Sequence, residues 1–205
     1  MKYNILASKE SIQKTMASLK ERGHLPEFVE SRVEALEKIK TLIPHGASVM
    51  NGSSRTLEEI GFVDYLREGK HGWNNLHATI LAEKDHIKQA ELRKQSVLSD
   101  FYLGSAHAVT ETGEIVVASN SGSQLPHLVF TSPNLIFVVG LQKITSDLDT
   151  AIARLKEYVY PLEDERMKSV GMGGSYISKM LVINKEQPFM GRKSHVIFVN
   201  EKLGF

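Results

Sequence analysis

The stretch DFYLGSAHAVTETGEIVVASNSGSQLP (residues 100–126) decides how the chain folds and where it could bind a ligand. An apolar run at 101–103 stops at Gly104, and a second run at 115–118 stops at a cluster of small polar residues. Residues 108–110 and 115–117 flank a turn that contains Gly113, which predicts a β-hairpin or two adjacent strand ends. Small residues directly after buried strands are typical of anion-binding loops in open α/β sheets, although ordinary turns have the same composition.

Length and composition limit the class of protein. The chain has 205 residues, of which 41% are hydrophobic, and this suffices for one domain with a sizeable core. Its 25 basic and 24 acidic residues give a net charge of +1, so nothing in the charge favours nucleic acid or an anionic membrane. There is no cysteine, which excludes a disulfide and a cysteine-ligated iron–sulfur cluster in this chain.

The apolar segments predict a cytoplasmic α/β protein. No run approaches the roughly 20 apolar residues of a membrane span, and the N-terminus lacks the apolar core of a signal peptide. The continuous apolar run at 135–140 is typical of a strand covered by helices on both faces. We therefore expect a mostly parallel sheet flanked by helices, with the runs at 177–183 and 195–200 as a last, antiparallel pair of strands.

The first 43 residues are predicted to form a helical arm ahead of an α/β domain at 44–205. Apolar periodicity indicates one helix over 8–22 and a second from Pro26 to about residue 43. Further along, Trp73 is expected to pin its loop to the core, Asp85 and Asp147 to cap helices, and Pro161 to end the second of these.

A first candidate ligand loop follows the predicted strand at 47–50. It consists of Asn51, Gly52, Ser53, Ser54 and Arg55. Thr56 and Glu59 then have the spacing of a capping box at a helix start. Free N–H groups at such a start favour an anion, and the Arg55 guanidinium suits a carboxylate or phosphate. A capped helix with a solvated arginine would explain the same residues.

Two ionisable residues are candidates for chemistry. Glu111 lies beside the glycine-containing turn, where it could act as base or nucleophile or simply solubilise the turn. Lys143 follows Gln142 at the end of the strongest strand, which is the usual ligand edge of such sheets. The eight histidines show no HxH or HExxH spacing, so no metal site is predicted.

Several motifs together resemble the LUD domain, the lactate-utilization family that includes LutC-type proteins. They are VMNGSSRTLEEIGF (49–62), HGWNNL (71–76), LAEKD (81–85), residues 101–126, VVGLQKI (138–144), RLKEYVYPLEDERM (154–167) and the terminal EKLGF. The resemblance runs from about Pro44 to Phe205 and is weak over the N-terminal helices.

The resemblance implies a fold similar to the NagB/RpiA/CoA-transferase-like group, which binds anions near glycine-rich loops. By this likeness the ligand residues are Asn51, Gly52, Ser53, Ser54, Arg55, Gly104, Ser105, Ser121, Gly122, Ser123 and Gln124. Thr56, at the helix start, and Gln142, at the strand end, are added as ligand residues from their positions. Glu111 would correspond to the acidic turn, which supplies the nucleophile in CoA transferases of the group. The likeness is also compatible with a homodimer.

Three functions stay open at this point. The first is a lactate-utilization subunit that binds a small carboxylate or other anion and supports oxidation of lactate to pyruvate. Iron–sulfur or flavin partner proteins would then supply the redox cofactors. The second is an independent enzyme of the sugar-phosphate isomerase or CoA-transferase type, with Glu111 or Lys143 in the chemistry. The third is a structural partner protein whose cleft is vestigial.

Overall fold

The central element is a six-stranded sheet in a computed structural model that describes residues 2–205. Its strands are β1 (Leu25–Val29), β2 (Ser48–Asn51), β3 (Asn74–Asn75), β4 (Phe101–Gly104), β7 (Asn134–Gly140) and β10 (Lys193–Val199). Their order is β1-β10-β7-β4-β2-β3, and every neighbouring pair is parallel. The predicted α/β class with a mostly parallel sheet is confirmed.

A second, smaller sheet was not predicted from the sequence. It contains β5 (Ala108–Thr110), β6 (Ile115–Ser119), β8 (Ile144–Thr145) and β9 (Lys179–Ile183), in the order β8-β5-β6-β9. The predicted hairpin is present as the antiparallel pair β5–β6, in which Val109 lies opposite Ile115. Strand β9 extends the hairpin on its other side.

Eight α-helices surround these sheets in the described part of the chain. They are α1 (Lys9–Glu21), α2 (Arg32–Leu42), α3 (Arg55–Glu59), α4 (Phe62–Glu68), α5 (Leu76–Ala82), α6 (His86–Gln95), α7 (Leu148–Arg154) and α8 (Tyr160–Ser169). Short 3₁₀ turns lie at Ser96–Leu98, Leu141–Lys143 and Pro188–Met190, and π-helical turns at His127–Thr131 and Leu155–Val159. None of the helices within residues 2–205 is both long and apolar enough to cross a membrane.

Strand β7 explains how the layers stack, because its side chains alternate between two cores. Ile136 and Val138 pack with residues of α2, α3 and α4. Leu135, Phe137 and Val139 pack on the opposite face, against the second sheet and α1. A third core lies between the second sheet and α7 with the π-helical turn after it, and contains Ala108, Val116, Ala151, Leu155 and Val159. Both faces of the main sheet are therefore covered.

Several predictions about single elements are corrected. Residues 25–29 are strand β1 at the edge of the main sheet, so the segment 1–43 contributes a strand besides its two helices. The last two strands do not pair with each other: β9 joins the second sheet, and β10 lies between β1 and β7. Pro161 does not end a helix but lies in the first turn of α8, where no hydrogen bond from a proline nitrogen is needed.

Other local predictions are confirmed. The indole N–H of Trp73 donates to the carbonyl of Ile43 at 3.2 Å, and the ring is buried, so this residue does pin its loop to the core. Asp85 and Asp147 accept hydrogen bonds from backbone N–H groups in the first turns of α6 and α7.

Candidate functional site

A cleft of about 510 Å³ opens at the carboxyl edge of the main sheet. The segments that follow β2, β4 and β7 meet there, since parallel strands end at the same edge. The segment after β6 closes one side, and α8 with the loop at 172–177 closes the other. The cleft thus lies between the two sheets.

The structure brings most of the predicted site residues to this cleft. Its lining includes Gly52, Ser53, Ser54, Arg55, Thr56, Gly104, Ser105, Ser121, Ser123, Gln124 and Lys143. Asn51 lines an adjoining pocket instead. Gly122 and Gln142 line neither cavity: Gly122 forms a turn at φ +87°, and Gln142 donates to the carbonyl of Leu203 at 2.9 Å. Gln142 therefore anchors the C-terminal segment that forms part of the cleft wall.

Lys143 is the most unusual side chain of the cleft. It is 3% exposed, and its ammonium donates to the Thr56 hydroxyl at 2.9 Å and the Ser105 hydroxyl at 3.0 Å. No carboxylate within residues 2–205 forms a salt bridge with it. Burial, and then the guanidinium of Arg154, lower the pKa of Lys143 from its ordinary 10.5 to about 7. The buried cation therefore has no carboxylate of the described chain in salt-bridge contact, although Glu59 lies close enough to oppose the shift of its pKa.

The Thr56 hydroxyl is available to Lys143 because it does not cap helix α3, although the sequence suggested that it does. The cap of α3 is Ser54, whose hydroxyl accepts from the backbone N–H of Leu57 at 3.3 Å. The Thr56 hydroxyl instead donates to the carbonyl of Leu203 and accepts from Lys143. Glu59 accepts from the backbone N–H of Gly204 at 2.7 Å and so also serves the C-terminal segment.

The arginines that line the cleft differ in how much of their charge is available to a ligand. Arg55 pairs with Glu58 and Glu59 on its own helix, at 3.3 and 3.0 Å. Arg166 pairs with Glu163 at 2.7 Å. Arg93 forms no salt bridge with any residue of the described chain. The predicted anion fork at Arg55 is thus already occupied by carboxylates.

A second buried cation lies behind the cleft and was missed in the sequence. Arg154 is fully buried, and its guanidinium donates to the backbone carbonyl of His107. Burial lowers the pKa of Arg154 to about 10. Removal from water, and then the charges of Lys143 and Arg154, lower the pKa of His107 to about 3. No sequence pattern singled out Arg154, because a charged residue is normally exposed, whereas this one lies on the buried face of α7 together with Ala151.

Glu111 lies away from the cleft. Its carboxylate accepts from the Ser11 hydroxyl at 2.6 Å and from the Lys14 ammonium at 3.0 Å. Ser18 also donates to its backbone carbonyl at 2.8 Å. These contacts join the tip of the hairpin to α1, and the expected position of Glu111 beside the glycine and serine loops is not observed.

Comparisons with known proteins identify a matching family and a solved structure of similar fold. The family model of the LUD domain matches residues 12–199. A solved structure of a DUF162-family protein from Deinococcus radiodurans is similar in fold, with a TM-score of 0.58 and 13% sequence identity. The match covers 95% of this chain and 99% of that one. The comparison with curated proteins gave no match.

Proposed function

The chain belongs to the LUD-domain family, which is associated with lactate utilization, and from this premise we propose that its cleft binds a small carboxylate beside Lys143. Binding of this ligand would support the oxidation of lactate to pyruvate by partner proteins. The chain has no cysteine, so an iron–sulfur cluster with cysteine ligands would belong to such a partner, as would a flavin in this scheme.

The observation that carries the proposal is the buried ammonium, which donates to two hydroxyls and forms no salt bridge within the described chain. Burying a charge costs several kcal/mol unless it is paired, and hydroxyls supply hydrogen bonds but no negative charge. Lys143 has three N–H donors, of which two are used by Thr56 and Ser105. A carboxylate that enters the cleft would accept the third and complete the charge pair.

The lowered pKa of Lys143 predicts that carboxylate binding depends on pH. With a pKa of about 7, roughly half of the lysine is neutral at pH 7. A bound carboxylate favours the charged form and raises the pKa again. Binding should therefore take up a proton, and the affinity should fall as the pH rises above about 7.

Calorimetric titration of the protein with D-lactate, L-lactate and pyruvate tests the proposal. A charge-assisted hydrogen bond contributes about 1.5–3 kcal/mol, so Lys143→Met should weaken binding by roughly 10- to 100-fold. Titrations in buffers of different ionisation enthalpy would count the proton taken up. Lys20→Met, at an exposed position on α1, is the matched control. Equal affinities of Lys143→Met and the unmodified protein would refute the role of Lys143.

A second candidate is an enzyme of the sugar-phosphate isomerase type, and one observation favours it. A lysine with a pKa near the working pH is suited to act as a general base. The CoA-transferase variant, with Glu111 as nucleophile, has no such support because Glu111 lies outside the cleft. Turnover of sugar phosphates that is lost in Lys143→Met would favour the isomerase. Lactate binding without turnover of any sugar phosphate would favour the carboxylate-binding subunit.

A further inference from the structure

Large apolar side chains are exposed at the amino edge of the main sheet, opposite the cleft. Three adjacent parallel strands, β4, β7 and β10, are each preceded by a short helical turn, and these turns therefore lie at the same edge. The side chains that the turns expose, by 50% at Met190 to 82% at Phe189, are Leu98, Val129, Phe130, Phe189 and Met190. This set is named the amino-edge face.

Hydrogen bonds join the three turns into one layer. The Ser99 hydroxyl, directly after the turn that precedes β4, lies 3.1 Å from the Ser132 hydroxyl, directly after the turn that precedes β7. On the other side, the Arg192 guanidinium donates to the backbone carbonyl of Leu128 at 2.9 Å and so ties the segment before β10 to the same turn. The amino-edge face is therefore continuous and is held in place from both sides.

The area of the amino-edge face is large for a surface that meets only water. Single exposed apolar residues are ordinary, but a contiguous apolar patch of more than a few hundred Å² marks an interaction site. The exposed fractions of the five side chains correspond to roughly 600 Å² of apolar surface. A standard interface buries about 800 Å² on each partner, so the face with a polar rim is large enough for a stable dimer.

The charges beside the amino-edge face suit contact with a second copy of this chain. Lys193 and Asp100 are both exposed and lie on opposite sides of β7, at the start of β10 and just before β4. Two strand spacings separate them by about 9.5 Å. Arg192, also beside the face, is already paired with Glu186 at 3.5 Å. A face with one unpaired sign on each side can pair with itself after a half-turn.

We propose that the amino-edge face is the contact between two copies of this chain, related by a two-fold axis normal to the main sheet at the start of β7. This axis places Val129 and Phe130 of the two copies against each other. It also brings Lys193 of each copy towards Asp100 of the other. The clefts lie at the carboxyl edges and point away from the interface, so the dimer leaves carboxylate binding at Lys143 unobstructed.

Sedimentation equilibrium of the full chain over concentrations from about 0.1 to 100 μM tests this assignment, since interfaces of standard size have dissociation constants of about 1 μM or lower. Phe130→Asp and Phe189→Asp place charges in the apolar face, and each should weaken the dimer by at least about 30-fold. Val33→Asp is the matched control, because Val33 is 65% exposed near the start of α2, which follows the carboxyl end of β1. It should leave the dimer unchanged.

Cysteine cross-linking tests the position of the axis. The chain has no cysteine, so an introduced cysteine can form a disulfide only with its counterpart in a second copy. Under mild oxidation Val129→Cys should form a covalent dimer rapidly, whereas Val33→Cys should not. Equal rates for the two variants would contradict the proposed axis.

Three outcomes would overturn the assignment. The first is a protein that stays monomeric at about 100 μM. The second is a dimer that Phe130→Asp and Phe189→Asp do not weaken, which would place the contact elsewhere on the molecule. The third is a monomer that co-sediments with phosphatidylcholine vesicles and loses this in Phe130→Asp, which would assign the face to a lipid surface.

The outcome at the amino-edge face is independent of the outcome at Lys143. Phe130→Asp should retain the lactate affinity of the unmodified protein, and Lys143→Met should retain the dimer while losing lactate binding. Thermal unfolding of each variant without ligand checks that the fold is intact, which is expected for substitutions at exposed positions.

Discussion

Glu111 and Lys143 occupy regions that look equivalent in the sequence but differ in their charge balance. Each follows the end of a strand and has two side chains as hydrogen-bond partners. Glu111 is held by Ser11 and by the oppositely charged Lys14, whereas Lys143 is held by two neutral hydroxyls. The ion pair of Glu111 stabilises the contact between the hairpin and α1. The ammonium of Lys143 has no ion-pair partner within the described chain, so it can pair with a negatively charged ligand.

The largest expected effect comes from the cost of burying Lys143. Its pKa is about 7 in the folded protein and 10.5 ordinarily, so the unfolded chain binds more protons between these values. The penalty on stability is full below about pH 7 and disappears as the pH rises towards 10.5. Lys143→Met should therefore increase the free energy of unfolding at pH 6 by roughly a few kcal/mol.

Urea denaturation of both proteins at pH 6, 8 and 10 measures this difference. It should shrink steadily as the pH rises, because the neutral amine of the unmodified protein is less costly to bury. Lys20→Met serves again as the exposed control and should show no such trend. A difference that stays constant from pH 6 to 10 would mean that Lys143 keeps its ordinary pKa.

Patterns within single segments predicted much of the fold and several of the cleft loops. The continuous run of β7 indicated a strand covered on both faces, and the small residues after β2 and β4 indicated ligand loops. Strand β1 was missed because Pro26 lies within it and resembles the start of a helix, and because its apolar residues share their spacing with the helix after them. The pairing of β10 between β1 and β7 depends on contacts distant in sequence, which no local periodicity reports.

The candidate site was less predictable because charge balance is a property of the tertiary structure. Lys143 and Glu111 had similar sequence signals, and only the packing of α1 against the hairpin supplied Lys14 to one of them. The role of Thr56 depends on the C-terminal segment, more than 140 residues away. Arg154 gave no sequence signal, since its burial arises where separate elements meet.

A smaller effect is expected at Glu111. Glu111→Gln removes the ion pair with Lys14 but can retain the hydrogen bond from Ser11, so the loss of stability should be about 1 kcal/mol or less. Hydrogen bonds from Ser11 and Lys14 lower the pKa of Glu111 below its ordinary 4.5. Its contribution is thus present above pH 4.5 and is lost as the pH falls through the folded value.

Urea denaturation at pH 7 and pH 3 measures this contribution, and calorimetry with lactate measures its relation to the cleft. The two proteins should differ less at pH 3 than at pH 7, and lactate affinity should be the same in both. Lys14→Met is the matched variant, because it breaks the same ion pair from the other side. Weaker lactate binding by Glu111→Gln would return this residue to the candidate site.

The smallest effect is expected at Arg55, which lines the cleft but is exposed and paired with Glu58 and Glu59. Pairs of this spacing on a helix surface contribute about 0.2–0.5 kcal/mol each, so Arg55→Ala should change stability by less than about 1 kcal/mol. Because two carboxylates already neutralise the guanidinium, lactate affinity should change by less than about twofold. Calorimetric titration of Arg55→Ala and Lys143→Met with lactate checks this. An equal loss of affinity in the two variants would show that Arg55 separates from Glu58 and Glu59 and binds the ligand.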